Sequence, residues 1–271
     1  MLFSSGNYTL INQKAKDSVV LLPLGATEQH GPHLAVSTDT DIVSQIALQT
    51  EKQLPDDVLL CPALPFGSSH HHLSFGGTIS ISSELYTMLI TEIVKSLLRQ
   101  GFKKIVLLNG HGGNIVPIKQ SLAILSSEFD AALQPNIALA TYWELAGKIF
   151  AGTPPLQSPA LSHACEYETS LMLHLFPEKV WFDKVERAKR PISNWYIPWE
   201  EDEPYKGVTV VKQTEFISSN GSSGEPHLAS KEKGMHLFDH AVKSVVEFIE
   251  SFKDWPLLES LKDVNIGKNR N

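Results

Sequence analysis

Cysteine is scarce in this chain. Cys61 and Cys165 are the only two among 271 residues, far apart and in no CxxC pair. That excludes a paired-thiolate zinc site and points to reduced thiols in a cytoplasmic protein. Dense basic runs are missing too. The net charge is −7 and the lysines and arginines are scattered, which argues against nucleic acid and anionic membrane surfaces as partners. No apolar run approaches the ~18 residues that span a bilayer. The first residues, MLFSSGNYTLINQKAKD, lack a charged region followed by an apolar one, so no signal peptide is expected. Internal repeats and low-complexity tracts are absent. Hydrophobic residues, by contrast, make up 42%, enough to bury a large core in one large domain or two small ones.

The apolar pattern alternates between short runs and longer amphipathic stretches. Residues 18–24, 58–61, 104–109 and 137–142 read as strands. Residues 39–54, 83–100, 115–129, 166–175 and 231–252 read as helices. A further short strand is expected over 208–211, an irregular lobe around 185–207, and a loose tail from about 256. Strands alternating with helices imply an α/β fold with a mostly parallel sheet covered on both faces. Ligands bind such sheets at the carboxyl ends of the strands. The segments after 24 and after 109 therefore fall on one edge.

Those segments carry the chemistry. Gly25-Ala26-Thr27-Glu28-Gln29-His30-Gly31-Pro32-His33, followed by Asp39, joins two carboxylates and an imidazole, the ligand types of a Zn, Mn or Fe site. Asp39 alone would read equally well as a helix cap. Asn109-Gly110-His111-Gly112-Gly113-Asn114 resembles a phosphate cradle, but it lacks the GxxxxGK[ST] spacing. The other reading is a close backbone approach to a metal or substrate with His111 as ligand. Ser162-His163-Ala164-Cys165-Glu166-Tyr167-Glu168 places His163 at a helix start, where the dipole disfavours imidazolium. Glu166 and Glu168 are too close to share one helix face. Of His70, His71 and His72, one can reach a site while its neighbours are solvated. A thiol nucleophile at Cys165 is the competing idea, with no clear orienting third group.

The segments GATEQHGPHL with STDTD, GSSHHHLSFGGT, LNGHGGN, HACEYETSLML and GSSGEPHLASKEKG resemble, in order, those of the creatininase family of metal-dependent amidohydrolases. The resemblance implies one three-layer α/β/α domain over 1–271, a two-metal site and a homo-oligomer, often a hexamer. It implies that Glu28, Asp39 and His111 hold one divalent ion, and that His30 and a bridging Asp39 hold the second. Creatininase itself has a metal-binding Glu two residues after the histidine of LNGHGGN, where this chain has Gly113. Glu168 is the first candidate to replace it and Glu166 the second. His163 resembles the histidine that acts on the substrate or the leaving nitrogen, with Glu166 as the other candidate proton donor. Creatininase also has a Trp shortly before that histidine. Its absence near Pro159, with the GHGGN form, argues against creatinine as substrate. The expected activity is hydrolysis of a non-peptide or cyclic C–N amide bond of a small molecule by a metal-activated hydroxide. A non-catalytic small-molecule binder retaining the fold is the alternative, favoured by Gly113. A nucleotide-binding α/β protein is a third, weaker reading.

Overall fold

The computed structural model describes residues 1–15, 17–128, 133–149, 156–158, 161–189 and 212–259. Along the chain lie α1 (Tyr8–Lys14), β1 (Val19–Leu24), α2 (Thr38–Gln53), β2 (Val58–Leu60), α3 (Ser83–Arg99), β3 (Lys104–Asn109), α4 (Ile115–Glu128), β4 (Leu133–Gln134), β5 (Asn136–Thr141), α5 (Tyr142–Leu145), α6 (Glu166–Leu175), α7 (Lys231–Lys253) and β6 (Leu258–Glu259). Four strands form one parallel sheet in the order β2-β1-β3-β5.

All six residues of β1 are buried, as a strand covered on both faces requires. Successive side chains go to opposite sides. Val19 and Leu21 enter one core, and Val20, Leu22 and Leu24 enter the other. In β3, Val106 and Leu108 join the first core while Ile105 and Leu107 join the second. The first core is closed by Ile42, Val43 and Ile46 of α2, Leu171 of α6 and Leu237, Val245 and Ile249 of α7. The second is closed by Tyr86, Ile90 and Val94 of α3 and Ile118 and Leu125 of α4. Each buried Val or Leu contributes about 1.5–3 kcal/mol of hydrophobic stabilisation. The sheet is thus the middle layer of the expected α/β/α sandwich.

Within the segment expected as a loose tail from about 256, β6 pairs antiparallel with β4, Leu133 opposite Glu259 and Gln134 opposite Leu258. The helix containing Asp39 starts one residue earlier than expected, with Ser37 at the cap position, which puts Asp39 in the first turn. The strand expected over 208–211, most of the lobe around 185–207 and the chain beyond 259 lie outside the described residues.

Candidate metal centre

The last residues of three adjacent strands stand in register, Leu24 beside Asn109 and Asn109 beside Thr141. The loops that leave them therefore begin at one level of the sheet edge. Glu28 and His30 follow β1, His111 follows β3, and Tyr142 and Trp143 follow β5. Asn114 ties the loops together: its amide donates to the Gly25 carbonyl, and its oxygen accepts from the Ser68 amide. The Asn109 side chain bridges to the His111 backbone in both directions. His72 arrives on a 3-10 turn, His70–Phe75. Asp39 comes from the first turn of α2, where the helix dipole favours a negative charge.

These residues converge. Asp39 has one carboxylate oxygen 3.1 Å from His30 Nε2 and the other 3.0 Å from His111 Nδ1. Glu28 lies 3.4 Å from His111 Nε2, 3.4 Å from His163 Nδ1 and 3.6 Å from His72 Nε2. Glu168 lies 4.0 Å from His30 Nε2, and its carboxylate is pinned at 2.5 Å by the Ala164 amide. Ala164 adopts a left-handed φ of 51°, a conformation that costs a non-glycine residue about 1–2 kcal/mol. Three overlapping ligand groups result: Glu28 with Asp39 and His111; His30 with His163 and Glu168; and Glu28 with His72 and His163.

The donor set fits divalent cations on an observation of its own. Glu28 Oε2 and Asp39 Oδ2 are buried without a well-aligned hydrogen bond and face the His111 ring nitrogens at 3.4 and 3.0 Å. Two buried carboxylates so placed are costly unless a cation, a metal ion or a protonated ring, neutralises them. His30 Nδ1 faces the Glu28 carbonyl at 3.1 Å. A carbonyl only accepts, so that nitrogen holds the ring proton of the neutral ring. The Nε2 lone pair then faces Asp39, and only a second proton or a metal reconciles the two.

The charges bear this out. Burial favours a neutral His30, but Asp39 outweighs it and lifts the ring to about 10. Burial is likewise overcome at His111 by Glu28 and Asp39, which raise it well above the ordinary imidazole range. Asp39 is buried yet held well below the usual carboxylate range by His30 and His111. Glu28 is lowered against burial by His111. Glu168 goes the other way. Burial, aided by Asp39 and opposed by His30, pushes it up to about 7. Burial together with neighbouring rings depresses His163 well below 6.5, and His72 to about 2. The dipole expected to act on His163 is not the cause, because α6 begins three residues later at Glu166.

The structure brings together Glu28, His30, Asp39, His111, His163 and Glu168. It places Glu166 elsewhere, which corrects its candidacy as ligand or proton donor. The Glu166 carboxylate is buried against Lys233 and accepts from the Gln157 and Ser158 amides and the Ser158 hydroxyl. Two residues along a helix point about 200° apart, so Glu168 facing the cluster turns Glu166 away. Gly113 is also explained: a Cβ there would overlap the Ser68 carbonyl oxygen and the His111 ring. The site adds groups the motif reading did not single out. Gln29 contacts His72 and His163, and His72 is the buried one of the three adjacent histidines. A cleft of about 250 Å³ opens over the cluster, walled by Tyr142, Trp143, Leu161 and Tyr167. No described helix is long and apolar enough to cross a membrane.

A profile described as creatinine amidohydrolase, that of the creatininase family, matches residues 7–249. The chain is 30% identical over 246 residues to the mycofactocin precursor peptide peptidase of Mycobacterium tuberculosis (strain CDC 1551 / Oshkosh), covering 88% of this chain and 86% of that protein. It is 30% identical over 251 residues to the creatinine amidohydrolase of Pseudomonas putida, covering 87% and 90% respectively. A crystal structure of creatininase superposes with a TM-score of 0.74 at 22% identity, over 94% of this chain and 98% of that one. Creatininases of the same fold include an Mn form and a Zn-Zn type. These relatives are hydrolases, and with that fold, those motifs and a profile match across most of its length, the chain belongs to the creatininase family.

Proposed function

We propose that the chain is a metal-dependent amidohydrolase that cleaves a C–N amide bond in a compact substrate, non-peptide or cyclic. The observation that carries this reading is the pair of buried carboxylates, Glu28 and Asp39, whose oxygens converge on imidazole nitrogens at 3.0–3.4 Å, with the contacts to His111 poorly aligned as hydrogen bonds. Glu28, Asp39 and His111 would hold one divalent ion. His30, Asp39 and Glu168 would hold the other, with Glu168 in place of the carboxylate that Gly113 lacks. Zn, Mn and Fe all suit mixed oxygen and nitrogen ligands. When bound, such ions supply Lewis acidity and make water acidic near neutral pH.

The chain's own groups supply proton transfer and substrate placement. His163 Nε2 lies 2.7 Å from the Gln29 carbonyl, so the proton of the neutral ring sits there and Nδ1 offers a lone pair to the cleft. That nitrogen accepts a proton from the attacking water and delivers it to the leaving nitrogen as the C–N bond breaks. Tyr142, Trp143 and Tyr167 give flat apolar walls and exclude bulk water.

A peptide substrate is the second reading, because one relative at 30% identity is named as a peptidase. The test is chelation followed by Zn, Mn or Fe add-back, with hydrolysis followed on creatinine, cyclic amides, small linear amides and short peptides. Metal-dependent cleavage with about two ions per chain supports the proposal. A chain that holds none or one ion and cleaves nothing would instead be a binding protein on a retained scaffold. Cleavage confined to the peptides would replace the compact-amide substrate with a peptide one.

A further inference from the structure

The Gln29 carboxamide is oriented by partners of single role. Its Oε1 accepts from the Gly31 amide at 2.9 Å, and its Nε2 donates to the Gly221 carbonyl at 3.0 Å. Gly221, at φ 85°, packs directly on this amide, and a Cβ there would overlap it. The same Nε2 lies 2.7 Å from His72 Nδ1. That NH2 has two hydrogens and three neighbours, the third being His163 Nε2 at 3.1 Å. His163 Nε2 is closer to the Gln29 backbone carbonyl, at 2.7 Å, and needs its own proton there. The second amide hydrogen therefore goes to His72 Nδ1, which accepts, and the proton of that ring sits on Nε2. The Thr214 hydroxyl, 3.0 Å from that Nδ1, can donate to it as well. Meanwhile the Gln29 backbone carbonyl places the His163 proton on Nε2.

Both rings therefore carry the same tautomer but turn opposite edges to the cleft. Their centroids are 4.2 Å apart. His163 presents a lone pair. His72 presents an N–H that is 3.6 Å from Glu28, too far to be a bond to that carboxylate. It is thus free for a third atom placed between them.

We propose that His72 is a catalytic residue that donates its Nε2–H to the substrate carbonyl oxygen as negative charge develops there, and that Gln29 is the positioning residue that fixes the tautomer this requires. The inference rests on the amidohydrolase reading. No proton leaves His72. Water forms the new C–O bond, the C–N bond breaks, and His163 carries the proton between them. An N–H aimed at a developing oxyanion acts by charge stabilisation, and removing one such donor costs on the order of 10²–10³ in kcat.

The test uses the full chain loaded with Zn, nitrogen-15 histidine spectra, metal analysis, and kinetics on whichever amide of the panel above the wild type cleaves. The expected spectrum shows Nε2–H at His72. Q29E puts a carboxylate oxygen against Nδ1 and should switch the ring to Nδ1–H. H72L and Q29E should lose about 10²-fold in kcat, with KM little changed and both ions retained. H72Q, which restores an N–H near the Nε2 position, should recover at least tenfold over H72L, and Q29E should cost little more on top of H72Q. Nδ1–H in the wild type, full kcat in H72L, or loss of metal on substituting His72 would each overturn the proposal while leaving the hydrolase reading intact. A metal-loaded wild type inert on the whole panel would overturn the hydrolase reading and the role of His72 with it.

Discussion

Metal uptake should expel protons, and the number follows from the site. Without metal, His30 at about 10 and His111 well above the imidazole range both hold a second proton at pH 8. Each ring must give it up to offer a lone pair to an ion. Filling the centre at pH 8 should therefore release about two protons, one per ring. By linkage the overall binding constant should rise about 100-fold per pH unit. Glu168, raised to about 7, is mostly ionised at pH 8 and adds a third, partial proton near pH 6.5. The assay is calorimetric titration of chelated protein with Zn in two buffers of different ionisation enthalpy. The buffer dependence of the heat counts the protons. Release of well under one proton at pH 8, or a count that does not grow toward pH 6.5, would refute the electrostatic account of the cluster.

D39A should abolish binding of both ions, by metal analysis after gel filtration, because both proposed ligand sets, Glu28–Asp39–His111 and His30–Asp39–Glu168, share that carboxylate; two tightly held ions would contradict the bridging role. K233M should cost about 3 kcal/mol by denaturant unfolding at pH 7, since it strands a buried carboxylate and partial exposure of the lysine keeps the effect at the low end. Burial raises the Glu166 pKa, but Lys233 and the Ser158 hydroxyl outweigh it and hold it below 4.5. The stabilisation is therefore present above that value and lost as pH falls through the folded-state value, so the gap between K233M and wild type should narrow toward pH 3. G113A should destabilise by about 1–3 kcal/mol, seen as a lower melting temperature. An unchanged melt would mean the Ser68 carbonyl yields freely.

The four strands of the parallel sheet were legible because each is largely an apolar run, and 104–109 matches β3 in both ends; the two-residue strands β4 and β6 are too short to leave such a run. Legible too was the convergence of the β1 and β3 loops, which parallel topology dictates. By that same rule Tyr142 and Trp143, which follow β5, could have been placed at the site. Other choices were settled by distant partners. Nothing local tells Glu166 from Glu168, because Lys233, which claims the first, lies 67 residues away. His70, His71 and His72 were equivalent in sequence. The 3-10 turn separates successive residues by about 120°, and that rotation buries His72 while leaving His70 exposed. Gln29 stood between two ligands with no role assigned to it, since its role exists only once the 221 loop meets it.

The backbone oxygen of Ser68 stands where a longer residue at 113 would have to pass. A glutamate there would not fit this scaffold unchanged, because the Ser68 carbonyl and the His111 ring would both have to shift. Glycine and glutamate versions of this centre should then differ in two separate segments. Which version a homologue carries should accordingly be readable from its 67–69 segment as well as from the residue at 113.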